Sequence, residues 1–285
     1  AFRHAPRAFI SAIALSLRTE PSPAYPAHMT SRIDIQLRLQ REAFSLNADI
    51  NIPVRGITVL FGSSGAGKTT LLRAIAGLET CIGNISVAGD TWQNENRFLP
   101  THERALGYVF QESSLFEHLS AQSNLEYGYK RVQPSQRLIE FGQAVELLDL
   151  GNLLKRRATH LSAGERKRVA IARALLCSPK LLLMDEPLAS LDQKSKAELM
   201  PFLENLRDQL SIPIIYVSHV PDEVARLANH LVLIEKGSVL AARPVNEILT
   251  RFDLPMAHDF DASAVVETHP GEYDAEYDLT PLEFG

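Results

Sequence analysis

The chain has 285 residues, 45% of them hydrophobic and 22% charged, which suits one large domain plus a smaller appendage around an ordinary buried core. Its longest apolar runs, such as 181–184 and 212–217, fall far short of the roughly 20 residues that a membrane-spanning helix needs; the two cysteines, Cys81 and Cys177, are too few for a disulfide framework and read as reduced thiols. The net charge of −5 is concentrated beyond Arg251, where nine Asp or Glu and no Lys or Arg occur, so the rest is near neutral and nucleic acid is not an expected partner.

Residues 1–28 hold four prolines, three arginines and a short apolar patch at 9–17, and are expected to be a disordered extension ahead of Met29. Ile33, Ile35, Leu37 and Leu39 then alternate with polar residues, which predicts a half-buried antiparallel strand. Ile57–Phe61 is a continuous apolar run leading into Gly62-Ser63-Ser64-Gly65-Ala66-Gly67-Lys68-Thr69, and 69–78 has helical spacing with Gly77 near its end. Strand, Gly-rich loop and helix open a βαβ unit, and the loop fits the P-loop pattern at every position. Its glycines let the backbone curl so that successive N–H groups point inward, where they and the helix N-terminus cradle phosphate oxygens. Lys68 is expected to neutralise the β- and γ-phosphates of ATP and the Thr69 hydroxyl to join a Mg²⁺ shell, with Thr70 completing the binding segment. A Gly-rich turn that binds nothing is the plain alternative, and the match of both flanks outweighs it.

Further along, 143–150 and 165–176 have helical spacing, 180–184 and 213–217 are buried-strand runs, and helices are expected near 194–210 and 222–228. Runs 231–235 and 238–241 flank Gly237 as a closing hairpin. An α/β core with a largely parallel sheet follows, with a mostly helical insertion at about 112–178. Leu181, Leu182, Leu183 and Met184 lead to Asp185 and Glu186, so a buried strand delivers two acids to the ligand edge of the sheet. Asp185 is expected to hold Mg²⁺, mostly through water. Glu186 is expected to act as general base on the attacking water, a role that typically contributes on the order of 10²–10⁴ in rate. His219 ends the run 214–218. A lone histidine there is more often structural, but its place after the next strand puts it where a γ-phosphate contact is needed.

Leu161-Ser162-Ala163-Gly164-Glu165 resembles the ABC signature, usually written LSGGQ, and opens a helix. Ser and small residues at a helix N-terminus form a second anion cradle. One chain needs one cradle for its own nucleotide, so the second implies a nucleotide sandwiched head to tail between two chains. Ala163 and Glu165 depart from the usual pattern; alanine adds a methyl group, and Glu at the last position is widespread among importer ATPases of this kind. Gln111, after Tyr108-Val109-Phe110, resembles the Q-loop, which implies contact with Mg²⁺ and water. Ser190-Leu191-Asp192 resembles the D-loop, which implies a place at the dimer interface. The resemblance spans 29–251 and implies an α/β P-loop NTPase fold of the ABC ATPase type, with a mixed sheet and an inserted helical subdomain. Phe44 is the nearest aromatic for stacking adenine and is equally a candidate core residue.

Residues 56–62, 109–120 and 124–128 are similar to molybdate importer ATPases. The resemblance implies that Leu115, Phe116 and Leu119 meet a membrane partner, the alternative being packing within the helical subdomain. Residues 264–267 and 278–282 resemble the opening of a small C-terminal β-barrel of the TOBE or Mop type, so 252–285 is expected to be a linker and the start of an incomplete barrel. Implied with the family are ATP and Mg²⁺, a homodimer of ATPase subunits, integral membrane permease subunits with a substrate-binding protein behind them, and a peripheral place on the cytoplasmic face of the bacterial inner membrane. The rival readings are the same machine with tungstate, sulfate, iron, polyamine or sugar as cargo, a soluble ABC ATPase working on DNA or ribosomes, and a molybdate-binding regulator without transport.

Overall fold

The computed structural model describes residues 32–41 and 44–249, together with the short strands His269–Pro270 and Leu282–Glu283, which pair antiparallel. The readings of 1–28 as an extension and of the rest of 252–285 as a barrel lie outside the described residues. The chain divides into two units, and the larger, 30–264, contains every element named below.

The alternation at the start of the folded region makes strand β1 (Arg32–Arg41), whose apolar residues meet those of β2 (Phe44–Pro53) across an antiparallel ladder. Ile33 pairs with Ile52, Ile35 with Ile50, Leu37 with Ala48 and Leu39 with Leu46, and all of them are buried. A slip of one residue would turn this whole set to solvent, so burial fixes the register. β3 (Ile57–Phe61) is buried at every position and feeds the Gly-rich loop and helix α1 (Lys68–Ala76). α1 starts one residue before the expected span and stops at Ala76, where Gly77 in a left-handed conformation caps it and leaves Leu78 outside.

An antiparallel wing follows, formed by β4 (Ile82–Val87), β5 (Asp90–Asn94) and β6 (Arg97–Phe98), before β7 (Leu106–Val109) returns to the main sheet. The segment between β7 and β8 (Leu181–Asp185) carries α2 (Ala121–Tyr129), α3 (Phe141–Leu147) and α4 (Ala163–Leu175). α3 begins two residues ahead of the span read from spacing because Glu140 and Gln143 form a capping box that starts the helix there. Beyond β8 come α5 (Gln193–Gln209), β9 (Ile214–Ser218), α6 (Pro221–Leu227), the antiparallel pair β10 (His230–Glu235) and β11 (Ser238–Pro244), and α7 (Val245–Leu249).

These strands form one mixed sheet in the order β6-β5-β4-β1-β2-β11-β10-β3-β9-β8-β7. The run β10-β3-β9-β8-β7 is parallel throughout. Its strands are apolar on both faces and divide two cores between them. In β9, Ile214 and Tyr216 pack with α4, α5 and α6, whereas Ile215 and Val217 pack with α1, β1 and β2. Sequence periodicity alone cannot tell such strands from buried helix segments. Their length and their pairing make the distinction.

Candidate active site

Parallel strands that lie side by side end at the same edge of the sheet, and here four neighbours, β3, β9, β8 and β7, end together. At or just beyond their carboxyl ends come the Gly62 loop, His219, the Asp185–Glu186 pair and Gln111 respectively. β9 comes later in the chain than β8 but inserts between β8 and β3, which places His219 between the loop and the acids.

A cavity of about 550 Å³ lies along this edge, lined by Ser64, Gly65, Gly67, Lys68, Thr69, Thr70, Gln111 and Glu186, with Arg41 and Phe44 at one side. That volume is in the range of sites for small-molecule ligands. Gly67 caps α1 at φ 105° and has no side chain to take the first-turn N–H groups, so these remain for a ligand. A Cβ at Gly67 would sit 2.7 Å from the Phe44 ring, and one at Gly62 would sit 2.1 Å from the Ile234 carbonyl oxygen. The loop is therefore both curled and pressed against its surroundings at positions only glycine can fill. Ala66 is buried beneath, its N–H donating to Ser63 O at 3.1 Å and its carbonyl accepting from Gly237 N–H at 2.9 Å.

Lys68 is 4% exposed, and its Nζ donates to the carbonyls of Gly62 (2.7 Å) and Ser63 (2.9 Å). Burial pulls its pKa down, opposed by the negative charges of Glu186 and Asp185. The Asp185 carboxylate accepts from Thr69 Oγ1 at 2.8 Å on one oxygen and from the Tyr108 hydroxyl at 3.2 Å on the other. Burial pushes Asp185 up from the usual carboxylate range and those two hydrogen bonds hold it back. Glu186 has φ 41°, a left-handed conformation unusual for a residue with a side chain. Strain of this sort, of order 1–3 kcal/mol, gathers at functional sites because the surrounding structure holds the residue in place. Glu186 Oε1 lies 3.3 Å from His219 Nδ1, and the His219 ring is half exposed.

The other expected residues lie elsewhere. Ser162, Ala163, Gly164, Glu165 and Asp192 do not line the cavity. Ser162 caps α4, its Oγ accepting from Glu165 N–H at 3.2 Å while Glu165 accepts from Ser162 N–H at 2.7 Å. The departure at Glu165 thus has a local cause: Ser-x-x-Glu is a capping box, and Arg156 pairs with the same carboxylate at 3.4 Å. Asp192 caps α5 in the same way, accepting from Ser195 N–H (2.8 Å) and Ser195 Oγ (3.1 Å), and these bonds hold its carboxyl below the usual range. The two caps are neighbours, since a Cβ on Gly164 would lie 3.6 Å from Ser195 Cβ. They form one corner where Ser162 and Asp192 are exposed.

Phe44 packs partly against the core and lines one side of the cavity. Leu115, Phe116 and Leu119 are half-buried; Phe116 contacts the Tyr127 ring, 4.6 Å away, and the Arg173 guanidinium at 5.1 Å.

Two contributors were not visible in the sequence. Tyr108 occupies the second oxygen of Asp185, and nothing in a lone tyrosine on a short apolar run signals that. Glu223 is 5% exposed and accepts from Tyr216 OH (2.9 Å) and Ser218 Oγ (2.7 Å), while Ser218 Oγ also accepts from Val220 N–H (3.0 Å). This network fastens the backbone on both sides of His219. In sequence, Glu223 looks like an ordinary acid in a first helical turn.

A P-loop at the end of β3, two acids at the end of β8, two strands along, and an antiparallel wing on the same sheet define a nucleotide-hydrolysing P-loop ATPase. The chain belongs to the ABC transporter family, whose profile matches residues 46–189. It is 54% identical over 254 residues to the molybdenum import ATP-binding protein ModC of Pseudomonas fluorescens, covering 88% of this chain and 71% of that one. It is 52% identical over 255 residues to molybdenum import ATP-binding protein ModC 1 of Azotobacter vinelandii, again covering 88% and 71%. Among solved structures, cbiO1 from Clostridium perfringens, part of the ABC transporter complex cbiONQ, superposes with a TM-score of 0.67 at 23% identity, covering 81% of this chain and 96% of that one. That likeness shows the shared fold.

Proposed function

We propose that this chain is the ATP-hydrolysing subunit of an ABC importer that brings molybdate into the bacterial cell, working as a homodimer on the cytoplasmic face of the inner membrane. What carries the reading is sequence identity above half, over most of the chain, to molybdenum import ATP-binding proteins, together with a cavity whose chemistry suits ATP. The described residues contain no helix long and apolar enough to cross a membrane, so transport requires separate permease subunits, with a substrate-binding protein delivering cargo to them.

ATP phosphates lie along the loop from Gly62 to Thr70, where the α1 N-terminus and Lys68 face their charge. Thr69, Asp185 and the Gln111 side chain supply oxygen donors suited to Mg²⁺, Asp185 largely through water; the Thr69–Asp185 contact of 2.8 Å supports this assignment. When bound, the ion offsets charge on the β- and γ-phosphates. Glu186 accepts a proton from the water that attacks the γ-phosphorus, the bond to the β,γ-bridging oxygen breaks, and ADP and inorganic phosphate leave. His219, beside Glu186, donates to the γ-phosphate and keeps the base oriented. The Ser162–Glu165 turn and the Asp192 corner of one chain close over the nucleotide held by the other. ATP therefore favours the closed dimer and hydrolysis removes that preference. Gln111 and the half-buried Leu115, Phe116 and Leu119 pass closure to the permease.

Molybdenum uptake from dilute molybdate, measured as metal content of cells, tests the cargo directly. Cells carrying Glu186→Gln should fall to the level of cells lacking the chain, while sulfate and iron uptake stay normal. Unchanged molybdenum content alongside a loss of another solute would contradict the cargo assignment.

A further inference from the structure

Lys167 is a fully buried lysine in the second turn of α4, at 1% exposure. Among the described residues no carboxylate pairs with it. Its Nζ donates to two backbone carbonyls, Phe110 O at 3.1 Å and Gln111 O at 2.7 Å. Burying an ammonium is costly unless hydrogen bonds compensate it, and here the compensation comes entirely from the loop that carries Gln111. α4 grips the same segment again where Arg173 donates to Ser114 O at 2.9 Å. At its other end, five residues before Lys167, α4 begins at the Ser162 cap. A continuous set of contacts thus runs from the strand-end aspartate that Thr69 bonds to the exposed corner: Asp185 to Tyr108, the Tyr108 ring to the Phe110 ring at 4.2 Å, the Phe110 and Gln111 carbonyls to Lys167, and Lys167 through α4 to Ser162.

We propose that Lys167 is a positioning residue that registers the Gln111 loop of a chain's own nucleotide site to the Ser162 cradle the same chain offers to its partner's nucleotide. The proposal rests on the reading that two chains share each nucleotide. In this arrangement the backbone of the Gln111 loop cannot shift without taking the Ser162 turn with it, and occupancy of one site sets the pose of the cradle at the other. Coupling between the two sites is the quantity that tests it.

The measurement is steady-state ATP hydrolysis by the purified full chain across ATP concentration, for wild type, Lys167→Met and Lys167→Arg, with ATP affinity measured separately by a fluorescent ATP analogue without turnover. Wild type should hydrolyse cooperatively. In Lys167→Met the Hill coefficient should fall to about 1 and kcat by roughly tenfold, the analogue affinity staying within about twofold, as expected for loss of coupling without loss of a binding contact. Lys167→Arg, which can still donate to both carbonyls, should keep the cooperativity. If Lys167→Met does not fold, Lys167→Gln, with one amide donor group on a shorter side chain, is read in the same assay and should show a reduced Hill coefficient. A cooperative wild type with an equally cooperative Lys167→Met or Lys167→Gln overturns the role of Lys167 alone. A wild type with hyperbolic kinetics at full turnover overturns the shared-nucleotide reading and this proposal with it.

Discussion

The two proposed anion cradles of this chain differ in what their own side chains leave free. At the Gly62–Thr70 loop the capping position is glycine, no side chain covers the first-turn N–H groups, and Lys68, Thr69 and Glu186 line one cavity. At the Ser162 turn the capping box is closed, with Ser162 and Glu165 occupying each other's backbone groups, and the neighbouring Asp192 is likewise occupied by Ser195. The first cradle, on our proposal, takes its ligand within one chain. The second is a stable helix start whose remaining capacity points outward, as suits a surface that completes another chain's site.

Substitutions that strike only one cradle sharpen this contrast. The largest effect is expected from Glu186→Gln, which should lower kcat by about 10²–10⁴ while ATP affinity, measured by isothermal calorimetry, is retained. Ser162→Ala removes the cap hydroxyl without touching the cavity. A single chain should bind ATP as tightly as wild type and lose about 1 kcal/mol of stability in a denaturant titration, while turnover falls roughly tenfold. Equal loss of nucleotide affinity in the isolated chain would break the distinction between the cradles.

Tyr108→Phe tests the first cradle more gently. It removes one of the hydrogen bonds holding the Asp185 pKa down, so the acid limb of the pH–rate profile should move to higher pH and the Mg²⁺ dependence should weaken by roughly tenfold or less. A further effect concerns neither cradle and leaves turnover at neutral pH untouched. His230 at the start of β10 is buried at 8% exposure, and burial with the nearby positive charges of Arg243 and Arg32 pulls its pKa to about 4. Its unfolded value is near 6.5, so below that pH the unfolded chain binds the proton more readily and stability falls as pH drops from about 6.5 towards 4. Thermal melts of wild type should show this decline, by about 1 kcal/mol per pH unit at its steepest, and His230→Phe should flatten it.

What could be read from the sequence follows from how local each feature is. The P-loop is a contiguous string whose strand and helix flank it directly, and the alternation of Ile33 to Leu39 states which face of β1 is buried. The acids after β8 were legible because an apolar strand leads straight to them. By contrast, the insertion of β9 between β3 and β8 is a matter of topology, and the wing of β4 to β6 has too few apolar residues to announce itself. Lys167 and Glu223 look like surface charges in a helix; only the packing of α4 on the Gln111 loop and of α6 on β9 buries them. Glu165 taught the reverse lesson, since a departure from the family pattern turned out to be a helix cap written in four residues.

The sharing of each nucleotide between the two cradles is tested most directly by the solution mass of Glu186→Gln with ATP and Mg²⁺, measured by light scattering. The expected result is twice the chain's mass with ATP, the single-chain mass without it, and reversion to the single-chain mass when Ser162→Arg is added to block the second cradle. A species that stays at the single-chain mass in ATP, or a dimer indifferent to Ser162→Arg, would contradict it.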